Sequence, residues 1–264
     1  MGQGSVYALA ALVTVAGACS PFSSASEPDA GASTPDGAAP AADGGLLVDG
    51  GPRPAVPCGT FCDDFERGAP DVKGPWTTLE EKNGKLSLVP SSTGGTALLV
   101  TTEPFGPGVG ASRVALHTAV APPKKTVSIR FRVMVKSVGA WAANATHQLF
   151  KIDLGSGDAA RRLSIDLEGV YVRMQERVGV DPNASYKQAV VLGTFSIGTW
   201  HEVDAAIDLQ EGVAGISGQL DGAPRNQGPF TFGAAPAAAI SLGEHYTENT
   251  PTEVVFDQFR VQID

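Results

Sequence analysis

Three short segments carry side chains suited to holding a hydroxylated or carboxylated ligand. Residues 147–154, 161–168 and 170–177 alternate apolar and polar side chains, the period-2 pattern of a strand with one face on a core. If these strands are neighbours, His147, Lys151, Arg162, Asp166, Tyr171, Arg173, Gln175 and Arg177 share one surface. Guanidinium and amide groups supply planar donors, Asp166 supplies an acceptor, and Tyr171 adds an aromatic ring. That set suits sugar hydroxyls, and the arginines suit sugar carboxylates. The same residues would equally make a solvated sheet face laced by cross-strand ion pairs. Both readings stay open at the level of sequence.

The other histidines and glycines say less. His201 falls on the apolar face of its segment and reads as a satisfied core histidine; His117 and His245 carry no argument. Gly106, Gly108 and Gly110 sit in a proline-rich loop with no helix following, so no phosphate cradle is implied. Trp141 lies between strands, where it would either touch a ligand or cover the sandwich edge.

These strands must belong to a body that begins near residue 58. Residues 6–18 are continuously apolar or small, too short to span a bilayer and of the length of a secretory core. The run ends in Ala16-Gly17-Ala18-Cys19, which resembles a bacterial lipobox and implies a signal peptide over 1–18 and a lipidated Cys19. Ser20 then favours the outer membrane by the same resemblance. Cleavage after Ala18 to a periplasmic or secreted protein is the alternative. Residues 20–57 are Ala, Gly, Pro, Ser and Asp with a single aromatic, Phe22. Such a segment cannot bury enough apolar surface to offset ordering, so 19–57 reads as a lipidated, disordered tether. Membrane contact is then expected through the lipid anchor only. The net charge of −9 argues against nucleic acid, which requires a basic face.

Cys58 and Cys62 remain once Cys19 is assigned. An exported setting predicts a disulfide between them, closed by a turn at Gly59. A zinc site is the alternative, but no matching Cys/His pair lies nearby.

From Cys58 onward the chain reads as strands. Residues 125–136 and 200–209 alternate cleanly, and further strands fit 61–66, 85–89, 96–102, 113–119, 186–192, 213–220, 237–243 and 253–263. Glu168-Gly169 and Asp221-Gly222 are turn signals. Helical periodicity is absent, so the body is all-β, an antiparallel two-sheet sandwich over 58–264.

Four motifs occur in order: Phe61-Cys-Asp-Asp-Phe-Glu66, Gly198-Thr-Trp-His201, Gly218-Gln-Leu-Asp-Gly222 and Phe256-Asp-Gln-Phe-Arg-Val261. Their order resembles the concanavalin A-like lectin/glucanase superfamily, including laminin-G-like domains. The resemblance implies a curved jelly roll with adjacent first and last strands and a concave sheet that holds glycans. It also implies a structural Ca²⁺, for which Asp63, Asp64 and Asp257 are the candidate ligands; turn capping or pairing with Arg260 is their alternative role. Glucanases of this superfamily carry three spaced carboxylates on one strand. Glu202-Val-Asp204 begins that motif, but residues 206 and 207 are Ala and Ile, and Asp208 comes too late. Lyases of this fold use histidine, arginine and tyrosine, for which His147, Arg173 and Tyr186 are candidates. The reading is therefore a binding module of the cell envelope, with a glycan or another envelope component as partner. A polysaccharide lyase and a ligand-free structural protein are the alternatives.

Overall fold

The computed structural model describes residues 58–92, 94–104, 112–139, 146–155, 160–178, 186–210, 215–229, 237–247 and 251–264, with side chains 186–188, 246 and 247 left out. Cys19, the leader, the tether, Trp141 and the glycines at 106, 108 and 110 lie outside the described residues.

The described residues form strands and no helix. In the first sheet the order is β13 (Asn226–Pro229), β12 (Gly215–Leu220), β11 (His201–Asp208), β6 (Thr126–Val138), β15 (Thr252–Ile263), β4 (Thr96–Thr102) and β3 (Gly84–Pro90). A short β1 (Phe61–Asp63) also pairs with β15. The second sheet runs β10 (Tyr186–Thr194), β9 (Tyr171–Val178), β8 (Arg161–Glu168), β7 (Thr146–Leu154), β14 (Ala238–Thr247), β5 (Ser112–Val120) and β2 (Thr78–Lys82). All pairings are antiparallel.

Alternation in the sequence becomes burial in the sandwich. Val127, Ile129, Phe131, Val133 and Val135 of β6 are buried, as are Val203, Ala205 and Ile207 of β11. Phe150 of the second sheet meets Phe131 and Phe259 of the first at ring separations of 6.3 and 5.7 Å. These tilted contacts lock the two inner faces together.

The first and last strands are adjacent, with Phe61 opposite Val261 and Asp63 opposite Phe259. The opening strand is shorter than its 61–66 pattern predicts, because Phe65 adopts φ 59° and turns its ring into the core. Cys58 and Cys62 form a disulfide with a Cα–Cα distance of 5.6 Å, at the entry to β1. Two strands went unpredicted. Thr78–Lys82 is a polar edge strand, and Asn226–Pro229 is a short edge containing Gly and Pro. Edge strands bury little and so carry weak alternation.

Candidate functional site: the polar face of the second sheet

One rung of cross-strand neighbours crosses the whole second sheet. It runs Ala189, Gln175, Ser164, Lys151, Ser241, His117, Thr78, from β10 to β2. All point away from the inter-sheet core, since their chain neighbours Met174, Ile165, Ile152, Leu242 and Leu116 fill it. Six strand spacings of about 4.8 Å make the rung about 29 Å long.

The middle of this face is crowded. Ser164, Asp166, Gln175, Ser241, Gln148 and His245 lie on it, and all are buried by their neighbours on the side away from the core.

The sequence placed eight residues together, and seven of them share this face. Lys151, Arg162, Asp166, Tyr171, Arg173, Gln175 and Arg177 are brought together by the pairing of β7, β8 and β9. His147 is not among them, which corrects both its place in the binding set and its candidacy as a lyase base on this face. Leu149 is an extra residue in β7, so Gln148 pairs with Asp166 and Phe150 with Ile165. The bulge flips the strand upstream of it. His147 therefore faces the core opposite Leu167, fully buried, with Nδ1 3.5 Å from Glu244. Gln148 takes its place on the polar face. The Tyr186 side chain lies outside the described residues.

Two histidines that carried no argument in the sequence join the site. Alternation along β14 puts Ser241 and His245 on the polar face, and β5 puts His117 beside them. Their rings are 5.6 Å apart. His117 Nδ1 lies 2.7 Å from Ser241 Oγ, and its Nε2 lies 3.3 Å from Glu80. His245 Nε2 is buried without a hydrogen-bond partner among the described residues. Burial, and then the neighbouring charge of Lys151, lowers the pKa of both rings, that of His245 strongly. Both are neutral imidazoles at neutral pH. No sequence signal could have grouped them, because each lies alone on its own strand.

The cations are held in place by carboxylates. Arg162 makes two bonds to Asp153, at 2.6 and 3.2 Å, and Lys151 lies 3.8 Å from the same group. Arg173 donates to Glu168 at 2.6 Å and stacks over Tyr171 at 5.6 Å. Burial lowers the Lys151 pKa and lifts Asp166 to about 7. Asp166 keeps a 3.1 Å hydrogen bond from Ser164. Across the face, Lys82, Arg113, Lys151, Arg162, Arg173 and Arg177 outnumber Glu80, Asp153, Asp166 and Glu168 on a chain of net charge −9.

The remaining candidates lie elsewhere. Asp63 accepts from Phe65 N at 2.8 Å, from Trp76 Nε1 at 2.7 Å and from the Arg67 guanidinium. Asp64 caps the turn at Glu66 N, and Asp257 accepts from Ser91 Oγ at 3.2 Å with Arg132 4.0 Å away. Both oxygens of Asp63 are taken by N–H donors, whereas exposed Asp64 accepts a single N–H and Asp257 a hydroxyl. Among the described residues, no group of three or more His, Cys, Asp or Glu is arranged to hold a metal. Glu202 and Asp204 lie on the outward face of the first sheet, paired with Arg130 and Arg225. His201 is the satisfied core histidine expected, bonded to Asp221 at 2.6 Å and to Ser196 N at 2.9 Å.

No protein-family model and no curated protein matches the chain. Solved structures do. An endo-β-1,4-glucuronan lyase from the fungus Trichoderma reesei matches with TM-score 0.57 at 16% identity, over 72% of this chain and 92% of that one. A cellulose-induced protein matches with TM-score 0.54 at 16% identity, over 76% and 96%. An endo-1,3-β-glucanase from Streptomyces sioyaensis matches with TM-score 0.52 at 16% identity, over 80% and 99%. The likeness is one of fold: the chain is a two-sheet antiparallel jelly-roll sandwich, as these proteins are.

Proposed function

We propose that this is an exported carbohydrate-binding protein whose second-sheet face takes an acidic polysaccharide. The observation that carries the reading is the excess of Lys and Arg on one sheet face of an acidic chain. Guanidinium groups held by carboxylates are preorganised, so less freedom is lost when they bond a uronate carboxylate. Exposed Thr78 and half-buried His117, Lys151 and Arg162 supply polar partners for a polymer on the same face. Likeness in fold to a glucuronan lyase and a glucanase supports a polysaccharide ligand. The Cys58–Cys62 disulfide supports an oxidising compartment, and a lipidated Cys19 with its tether would hold the domain at the outer membrane. The test is calorimetric titration with polyuronates. Saturable binding that weakens with salt, and that Lys151→Ala with Arg177→Ala reduces at least about tenfold, is expected. No binding, or binding indifferent to those changes, overturns the reading.

A second reading is a polyuronate lyase, favoured by the unpartnered Nε2 of a neutral, buried His245 beside Lys151 and Arg162. In that reaction His245 removes the proton α to a uronate carboxylate whose charge the two cations offset. The electrons of the broken C–H bond form the new C=C bond as the β C–O bond to the leaving sugar breaks; the C–O pair leaves on that oxygen, which takes up a proton. Unsaturated oligouronates released by the parent and not by His245→Ala would establish it. Bound but intact polymer leaves the protein a binder.

A further inference from the structure

A second cleft lies on the other sheet. It has a volume of about 400 Å³ and opens where β6, β11 and β12 run side by side on the outward face of the first sheet. That size accommodates a small ligand. One wall is Trp200, which is fixed twice: its Nε1 donates to Ser92 Oγ at 2.7 Å, and the Arg132 guanidinium stacks over its ring at 4.9 Å. A ring held in this way loses little freedom when a ligand settles against it.

The cleft carries no excess of either charge. Glu202 takes Arg130, Asp204 takes Arg225 at 3.2 Å, Asp221 accepts from the His201 ring and Arg132 rests on Trp200, so three carboxylates stand with three guanidinium groups. With no excess of either sign, the cleft gives an ionic ligand no net attraction. An uncharged, hydroxyl-rich ligand needs none, because paired carboxylates and guanidinium groups still offer acceptors and donors at their free edges. Gln219 adds an amide that can serve as both. An aromatic wall with amide and charge-paired groups around it is the chemistry that receives the C–H face and the hydroxyls of a sugar ring.

We infer that the outward face of the first sheet holds a second binding site, for an uncharged saccharide, walled by Trp200 and served by Gln219. It stands apart from the cation-rich face of the second sheet and does not depend on that face binding anything. Two sites of different charge would let the domain hold a neutral glycan on one side and an acidic one on the other.

The experiment is calorimetric titration of the full chain with cello-, xylo-, manno- and malto-oligosaccharides. Saturable binding of at least one is expected, insensitive to salt. Trp200→Ala is expected to weaken it at least about tenfold. Gln219→Ala, which shortens a half-buried side chain on the outward face, is expected to weaken it several-fold. Both variants should titrate polyuronate as the parent does, so a failure here is distinguishable from a failure of the acidic-polysaccharide reading. Absence of saturable binding by every oligosaccharide overturns the inference. So does unchanged affinity in either folded variant.

Discussion

Asp166 and Arg173 stand directly opposite each other across β8 and β9, yet Arg173 turns its guanidinium to Glu168 and Asp166 rests on Ser164. Oδ1 of Asp166 is left without a hydrogen-bond partner among the described residues, in a side chain with no exposed surface. Desolvation dominates, and it lifts this carboxyl from 3.8 to about 7.

That shift has a definite consequence for stability. The folded chain keeps the Asp166 proton up to about pH 7, whereas the unfolded chain loses it near 3.8. Between those values the folded state binds more protons, so this residue's contribution falls as pH rises through the window. Asp166→Asn keeps a partner for Ser164 and removes the titration. The variant should gain on the parent by on the order of 3 kcal/mol from pH 4 to pH 7. Urea midpoints across that range check it; parallel pH profiles for the two proteins would refute it.

Asp63 ties the opening of the domain together, joining Arg67, Trp76 and the backbone of Phe65. Asp63→Ala strands a buried indole N–H and removes the carboxylate partner of Arg67, which keeps only the Asp71 and Val72 carbonyls, and should cost about 3 kcal/mol in chemical denaturation. A chelator should leave the parent's Tm unchanged. A fall in Tm on chelation, restored by Ca²⁺, would mean that these oxygens hold a cation after all.

The disulfide closes a very short loop, so it restricts the unfolded chain only modestly. Reduction, or Cys58→Ser with Cys62→Ser, should cost about 2 kcal/mol. Because β1 lies in the first sheet, polyuronate titration should not change. A variant that loses polyuronate binding while remaining folded would contradict this separation.

Asp221 has φ 54° and clasps two segments, accepting from Glu202 N at 2.8 Å and bonding His201 at 2.6 Å. Asp221→Ala loses both bonds and places Ala in the left-handed region, so about 2 kcal/mol of stability should go. Asn tolerates that backbone and retains an acceptor, so Asp221→Asn should lose less. Equal losses in urea titration would show that backbone conformation plays no part in the difference.

Strand character was legible from the sequence because it is local. Alternation along 125–136 or 200–209 needs only the preference of apolar groups to leave water, and it correctly divided Val127, Ile129 and Phe131 from Ser128 and Arg130. The same alternation put Lys151, Arg162, Asp166, Arg173, Gln175 and Arg177 on a common face, since β7, β8 and β9 pair in chain order. Tertiary structure decided the rest. His117 and His245 reach Lys151 only because β14 returns from the far end of the chain to lie between β5 and β7. His147 left the site through one inserted residue, Leu149, whose bulge exchanges the two faces of everything before it. In the sequence the insertion shows only as the adjacent apolar pair Leu149-Phe150, which breaks the period without telling which residue is extra. Only the partner strand β8, by pairing Asp166 with Gln148 and Ile165 with Phe150, sets which side of the sheet the histidine occupies.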